Sequence, residues 1–186
     1  MNGAALRADG WLAGARPCPS PNFDARPAGA EIELVVVHGI SLPPGEFGTD
    51  AVTRLFCNEL DSCEHSSFRD LEGLRVSAHA FIDRSGAITQ YVSFLARAWH
   101  AGDSSFRGRA GCNDFSIGIE MEGADTVPYE TVQYEALAGL VRALMARWPG
   151  IGPDRIVGHA DVAPGRKTDP GPSFDWPGFR RLLLRP

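Results

Sequence analysis

Residues 32–39 read Ile-Glu-Leu-Val-Val-Val-His-Gly. Three valines behind a leucine make a β-branched run that is apolar on both faces, the pattern of a central strand covered on two sides. The run stops at His38-Gly39. The Ser41–Gly48 stretch (SLPPGEFG) that follows is turn-rich, because proline supplies no amide hydrogen to a ladder. His38 therefore stands where a buried strand opens into a loop. The same rule recurs further along, where Arg155-Ile156-Val157-Gly158 reads as a short strand ending at His159.

The segments between these two strands complete the pattern. Thr49 is a plausible N-cap for a helix over 50–60, with Val52, Leu55, Phe56 and Leu60 on one face. Residues 75–82 and 87–94 flank Asp83-Arg84-Ser85-Gly86 and read as a β-hairpin. Phe115–Met121 is the next strand, with Ile117, Ile119 and Met121 on one side and Gly118, Glu120 and Glu122 on the other. From 130 to 148 a helical stripe carries Tyr134, Leu137, Leu140, Val141, Leu144, Met145 and Trp148, and Pro149-Gly150 stops it. Trp176–Leu184 makes a closing helix. Strand, helix, hairpin, strand, helix and strand predict an α/β domain, a mixed central β-sheet flanked by helices. That domain is expected to be single and to span 31–186. Residues 1–30, with Pro17, Pro19, Pro21 and Pro27, read as an irregular lead-in wrapped on it.

Composition narrows the function classes. A chain of 186 residues suits one domain with a substantial core. Its 44% hydrophobic and 22% charged content is that of a soluble globular protein. The net charge of −5, with acids and bases interspersed, offers no basic stripe for nucleic acid. No apolar run approaches the roughly 20 residues of a membrane span. The first 27 residues lack the unbroken apolar core of a signal peptide, so the cytoplasm is the expected location. Cys18, Cys57, Cys63 and Cys112 form no C-x-x-C pair and are expected as free thiols. Cys57 and Cys63 are close enough in sequence to raise the alternative of a disulfide.

The stretch Gly158–Trp176, GHADVAPGRKTDPGPSFDW, is too rich in proline and glycine for a regular helix or inner strand and reads as a shaped loop. Imidazole and carboxylate donors suit zinc, and His159 with Asp169 could supply two of three protein ligands. Lys167 lies two residues before Asp169, so an extended backbone would turn both side chains the same way. Taken alone, the stretch is equally compatible with a solvated loop holding a structural histidine. Among the other histidines, His65 sits in a polar loop and is expected to face solvent. His79 reads as a hydrogen-bonded core residue, and His100, beside Trp99 in a loop, could line a pocket. Glu120, in the middle of an apolar strand, is costly unless it has a partner or opens onto a cleft. Pattern alone thus groups His38, His159 and Asp169 around a metal, with Glu120 and Lys167 beside it.

The segments VVVHGISLPPGEFG (35–48), RVSAHAFI (75–82), AWHAG (98–102), CNDFSIGIEMEG (112–123) and VGHADVAPGRKTDPGPSFDW (157–176) resemble the type 2 N-acetylmuramoyl-L-alanine amidases over residues 31–180. Within that family the likeness is to the cytoplasmic enzymes of peptidoglycan recycling. The resemblance implies a fold shared with peptidoglycan-recognition proteins and phage amidase-lysozymes. It also implies Zn(2+) held by His38, His159 and Asp169, with Glu120 and Lys167 catalytic. The implied reaction is hydrolysis of the bond between 1,6-anhydro-N-acetylmuramic acid and L-alanine in an anhydro-muropeptide, by a monomer. Removing such muropeptides would in turn affect β-lactamase induction.

In that chemistry Glu120 passes a proton from water to the leaving amine, and Lys167 steadies the oxyanion. Arg75 and Arg166 are candidates for peptide carboxylates, and Trp99 for the sugar face. Two departures bear on substrate affinity. Gly39 stands where relatives usually carry asparagine, and Gly108–Asp114 lacks one arginine of the family's run. Two other readings compete, a non-catalytic peptidoglycan-binding module and an exported amidase acting on intact murein. The filled ligand set speaks against the first, and the missing export signal against the second.

Overall fold

The computed structural model describes residues 5–185. In chain order its elements begin with β1 (Arg16–Pro17), β2 (Phe23–Asp24), β3 (Leu34–Ile40) and α1 (Ala51–Phe56). Then come β4 (Ala80–Ile82), β5 (Ile88–Gln90), β6 (Arg97–Ala98), β7 (Ser105–Phe106), β8 (Arg109–Ala110) and β9 (Ser116–Glu122). The chain closes with α2 (Thr131–Arg147), β10 (Ile156–Gly158), α3 (His159–Val162) and α4 (Trp176–Leu183).

Six strands form one mixed sheet in the order β1-β5-β4-β9-β3-β10, in which β4 and β5 are antiparallel and the other neighbours parallel. The valine run thus occupies an inner position, as its two apolar faces require. Val35 and Val37 of β3, with Ile117, Ile119 and Met121 of β9, pack against Leu137, Leu140, Val141 and Leu144 of α2 and Phe179 of α4. Each such side chain contributes about 1.5–3 kcal/mol when fully buried. Leu34 and Val36 point to the opposite face, among Ala101, Cys112, Phe115 and Val162. Alternation carries His38 onto this second face, together with Ser116, Gly118 and Glu120 of β9. The register does the rest. His38 pairs across from Glu120, and Val37 across from Gly158, so His38 and His159 are the next residues along two adjacent parallel strands. The site lies at the carboxyl ends of those strands, where open α/β sheets bind ligands.

Several expected boundaries move. The 5–30 stretch is not wholly irregular. Arg16–Pro17 adds an edge strand parallel to β5, and Phe23–Asp24 pairs with β6. Its order is conferred by its partners, as when the Cys18 amide donates to the Gln90 carbonyl at 2.9 Å. Helix α1 is shorter than 50–60 because Asn58 takes a left-handed conformation (φ 63°) and closes it. Its cap is Asp50 rather than Thr49, whose hydroxyl donates to the Leu42 carbonyl instead. The hairpin is present with shorter strands. After Gly158 the chain makes one helical turn before the proline-rich part, closed by the Gly158 amide donating to Asp161 Oδ2 at 2.7 Å. Among the described residues no helix is long and apolar enough to cross a membrane. All four cysteines are free, and the thiol nearest Cys57 is Cys18 at 3.8 Å, not Cys63.

Candidate metal centre

His38 and His159 are 1% and 3% exposed, held by the ends of β3 and β10, and Asp169 reaches them from the loop after α3. Their donor atoms form a tight triangle. His38 Nδ1 lies 2.9 Å from His159 Nδ1, His159 Nδ1 3.0 Å from Asp169 Oδ2, and His38 Nδ1 3.3 Å from the same oxygen. Three ligands about 2.0–2.1 Å from one tetrahedral ion stand about 3.3 Å apart. The triangle therefore has the size and the donor chemistry of a divalent metal site. Among the described residues, these three are the group whose ligand atoms converge closely enough to hold an ion.

The far nitrogens of both imidazoles are also engaged. His159 Nε2 is 3.2 Å from the Ala101 carbonyl oxygen, and His38 Nε2 is 2.9 Å from His100 Nδ1. Burial pushes His38 down to about 4, against the pull of Asp169. Burial would raise the Asp169 carboxyl, but hydrogen bonds from His159 and His38 outweigh it and hold it well below the usual carboxylate range. Burial, with the neighbouring histidines, keeps His100 well below the ordinary histidine value.

Glu120 stands 4.0 Å from His38, and its Oε2 is buried without a hydrogen-bond partner. Burial and the charge of Asp169 raise its carboxyl well above the usual range, and the charge of Lys167 offsets part of this. A carboxyl so perturbed by burial and a neighbouring charge, set in a cleft, is a candidate for proton transfer. The triad, Glu120, His100 and Lys167 all line one cleft of about 280 Å³, walled by Leu42, Leu55, Phe56, Leu71, Leu74 and Val76. A larger depression of about 610 Å³, between the lead-in and α2, is lined mainly by small residues such as Ala13, Gly14, Ala136 and Gly139. It gathers no cluster of ligating groups, so the smaller cleft is the site.

The three residues proposed for substrate lie around this cleft rather than in its wall. Arg75 lines an adjoining depression that shares Leu55, Leu71 and Leu74 with it. Trp99 is half-buried next to His100, its amide donating to the Asn22 carbonyl at 3.3 Å. Arg166 donates from Nη2 to the carbonyls of Ala101 and Asp103, bracing the loop that also receives His159. His79 is the core residue expected, and His65 caps a 3-10 turn by accepting from the Ser67 amide at 3.2 Å. Sequence reading missed Tyr129, whose hydroxyl donates to the Pro170 carbonyl beside Asp169, and the contact between His100 and His38. Gly118 was the one available signal, since a Cβ there would fall 2.4 Å from the His100 ring.

Residues 28–172 match the N-acetylmuramoyl-L-alanine amidase family. The chain is 53% identical to the 1,6-anhydro-N-acetylmuramyl-L-alanine amidase AmpD of Escherichia coli K12, over 97% of this chain and 98% of that protein. The crystal structure of a selenomethionine AmpD derivative superposes with a TM-score of 0.93 at 54% identity, covering 96% of this chain and 99% of that one. The E. coli amidase AmiD, solved in complex with anhydro-N-acetylmuramic acid-L-Ala-D-γ-Glu-L-Lys, gives a TM-score of 0.60 at 29% identity, over 98% of this chain and 66% of that one.

Proposed function

The chain belongs to the N-acetylmuramoyl-L-alanine amidase family, and from that premise we propose that it cleaves the amide between 1,6-anhydro-N-acetylmuramic acid and L-alanine in muropeptides, as a zinc enzyme of peptidoglycan recycling. The observation that carries the reading is the triangle of His38, His159 and Asp169 set beside the unpartnered Glu120 oxygen in one cleft. The relatives' names supply the substrate class, and AmiD binds such a compound.

His38, His159 and Asp169 would hold the ion, two imidazoles and one carboxylate being a donor set suited to zinc. When bound, such an ion acts as a Lewis acid toward water and the scissile carbonyl. Glu120 takes the proton of the attacking water and returns it to the departing L-alanine nitrogen, acting first as base and then as acid. Lys167, on the cleft wall, offers its cation to the oxygen on which charge develops, a role commonly worth about 3 kcal/mol. The apolar wall of Leu55, Phe56, Leu71 and Leu74 keeps bulk water from the bond being cut. Arg75 and Arg166 would meet peptide carboxylates and Trp99 the sugar, with Arg166 first releasing the Ala101 and Asp103 carbonyls. The reading makes the enzyme a cytoplasmic monomer with residues 31–186 as its catalytic domain.

The test is mass-spectrometric detection of the free peptide after incubation with purified anhydro-muropeptide, with intact murein in parallel and a zinc chelator as control. Release from the anhydro-muropeptide alone, abolished by the chelator, is the expected result. No release, or release from murein only, overturns it.

A further inference from the structure

We propose that His100 is a positioning residue: by accepting a hydrogen bond from His38 Nε2–H at its own Nδ1, it holds His38 in the tautomer that leaves Nδ1 free for the metal. The proposal rests on the metal reading given above. A neutral imidazole carries one hydrogen, so a histidine that binds an ion through Nδ1 must carry that hydrogen on Nε2. The acceptor opposite Nε2 therefore fixes which nitrogen is available. For His159 that acceptor is the Ala101 carbonyl, which can only accept. For His38 it is the next residue back, His100, whose Nδ1 lies at 2.9 Å.

A second imidazole fills this role in the tautomer that carries its hydrogen on Nε2, and the fold offers that hydrogen an acceptor. His100 Nε2 is 3.1 Å from Ser116 Oγ on β9, and a hydrogen there donates to the serine oxygen and leaves Nδ1 bare. The ring is seated on the bare backbone of Gly118, where any Cβ would fall 2.4 Å from its Cγ. The main chain beneath it is pinned as well. Asn113 Oδ1 accepts from the amides of both His100 and Ala101, at 3.2 and 2.8 Å. One asparagine thus braces two consecutive residues, each of which orients one of the two histidine ligands. Metal-binding histidines commonly donate their second N–H to a carboxylate, carbonyl or water, and loss of that partner weakens binding about 10–100-fold. Here a histidine takes the place usually held by those acceptors.

The experiment measures zinc affinity of the full chain by chelator competition at pH 7.5, with the melting temperature of each metal-free protein beside it. His100→Leu removes the acceptor and should weaken zinc about 10–100-fold. His100→Asn places Oδ1 where Nδ1 stood and should stay within about threefold of wild type, whatever either change does to melting. Wild-type affinity in His100→Leu, or equal weakening in both variants, overturns the proposal. Should His100→Leu not fold, Ser116→Ala frees the ring at its far nitrogen without adding bulk. It should weaken zinc by a smaller factor, and unchanged affinity there is equally fatal. Failure of the wild-type chain to bind zinc at all would instead overturn the metal reading itself, and this proposal with it.

Discussion

The hydroxyl of Tyr129 occupies the space that a side chain on residue 39 would need: a Cβ built on Gly39 falls 2.3 Å from Tyr129 Oη. That hydroxyl donates to the Pro170 carbonyl at 2.9 Å, so the ring cannot swing aside without releasing the residue next to Asp169. The glycine that departs from the family pattern therefore has a packing reason in this chain. Gly39→Ala should cost about 1–3 kcal/mol by overpacking. Tyr129→Phe should cost about 1–3 kcal/mol by leaving a buried carbonyl unpaired. The double variant should cost clearly less than the sum, because phenylalanine lacks the clashing oxygen. Additive costs in denaturant melts would refute this account.

Glu120 is paired across β3 and β9 with His38, yet its Oε2 bonds to nothing. Glu120→Gln keeps the shape and loses only the ability to take a proton. Turnover should fall about 10²–10⁴-fold, with zinc content unchanged. Because burial disfavours the carboxylate, the neutral amide should melt at or above the wild-type temperature. A variant that turns over normally removes Glu120 from the chemistry, and one that melts well below wild type assigns it to the fold.

Withdrawing the ion should uncover the repulsion and unmet bonding of the triangle. An ion bound at 1,000 times its dissociation constant stabilises the folded chain by about 4 kcal/mol. Thermal melts with and without chelator should therefore differ by several degrees for wild type. Asp169→Asn, which leaves two imidazoles and a weaker oxygen donor, should show little or no chelator effect. An identical chelator effect in both proteins would exclude Asp169 as a ligand.

His79 makes the fold acid-sensitive. It is fully buried, its Nδ1 accepts from the Gly118 amide at 3.0 Å, and its Nε2 is 3.2 Å from the Ala96 carbonyl oxygen. Burial, then the adjacent Arg26 cation, pushes the imidazole down to about 3, with His100 the other titratable ring against it. An unfolded histidine titrates near 6.5. Its contribution is therefore intact above about 6.5 and is lost progressively as pH falls toward 3, because only the unfolded chain takes the proton. His79→Asn keeps the acceptor for Gly118 and cannot titrate. It should be about 1–3 kcal/mol less stable at pH 7.5 and lose less than wild type between pH 7.5 and 4.5. Equal losses in denaturant melts at the two pH values would contradict this.

What could be read from the sequence followed from how local the cause was. The valine run, the α2 stripe and the two strand-end histidines announce themselves because burial and periodicity act over a few residues. Asp169 and Lys167 were legible because proline and glycine confine them to one loop. The two-residue strands Arg16–Pro17 and Phe23–Asp24 were not, since nothing in a proline-rich stretch signals a strand until β5 and β6 offer partners. Cys57 sits beside Cys18 rather than Cys63 for the same reason: the contact is made by the lead-in crossing α1, not by nearness in the chain. Arg166 was assigned by residue type, but its side chain is spent on two carbonyls. Rotamer choice in a loop is set by neighbours that the sequence does not put next to it.

The donor atoms of the triangle come from distant parts of the chain, His38 and His159 being 121 residues apart, with Asp169 later still. On a translating ribosome β3 is made well before β9 and β10, its neighbours on both sides. The nascent chain thus carries His38 without its partners until β10 docks, and the donor set is complete only once the Asp169 loop has closed on it. Under the metal reading, ion capture therefore waits on the closure of that loop. A product cut short before Asp169 would lack the third donor, so the triangle closes only in chains that have folded this loop back onto β3 and β10.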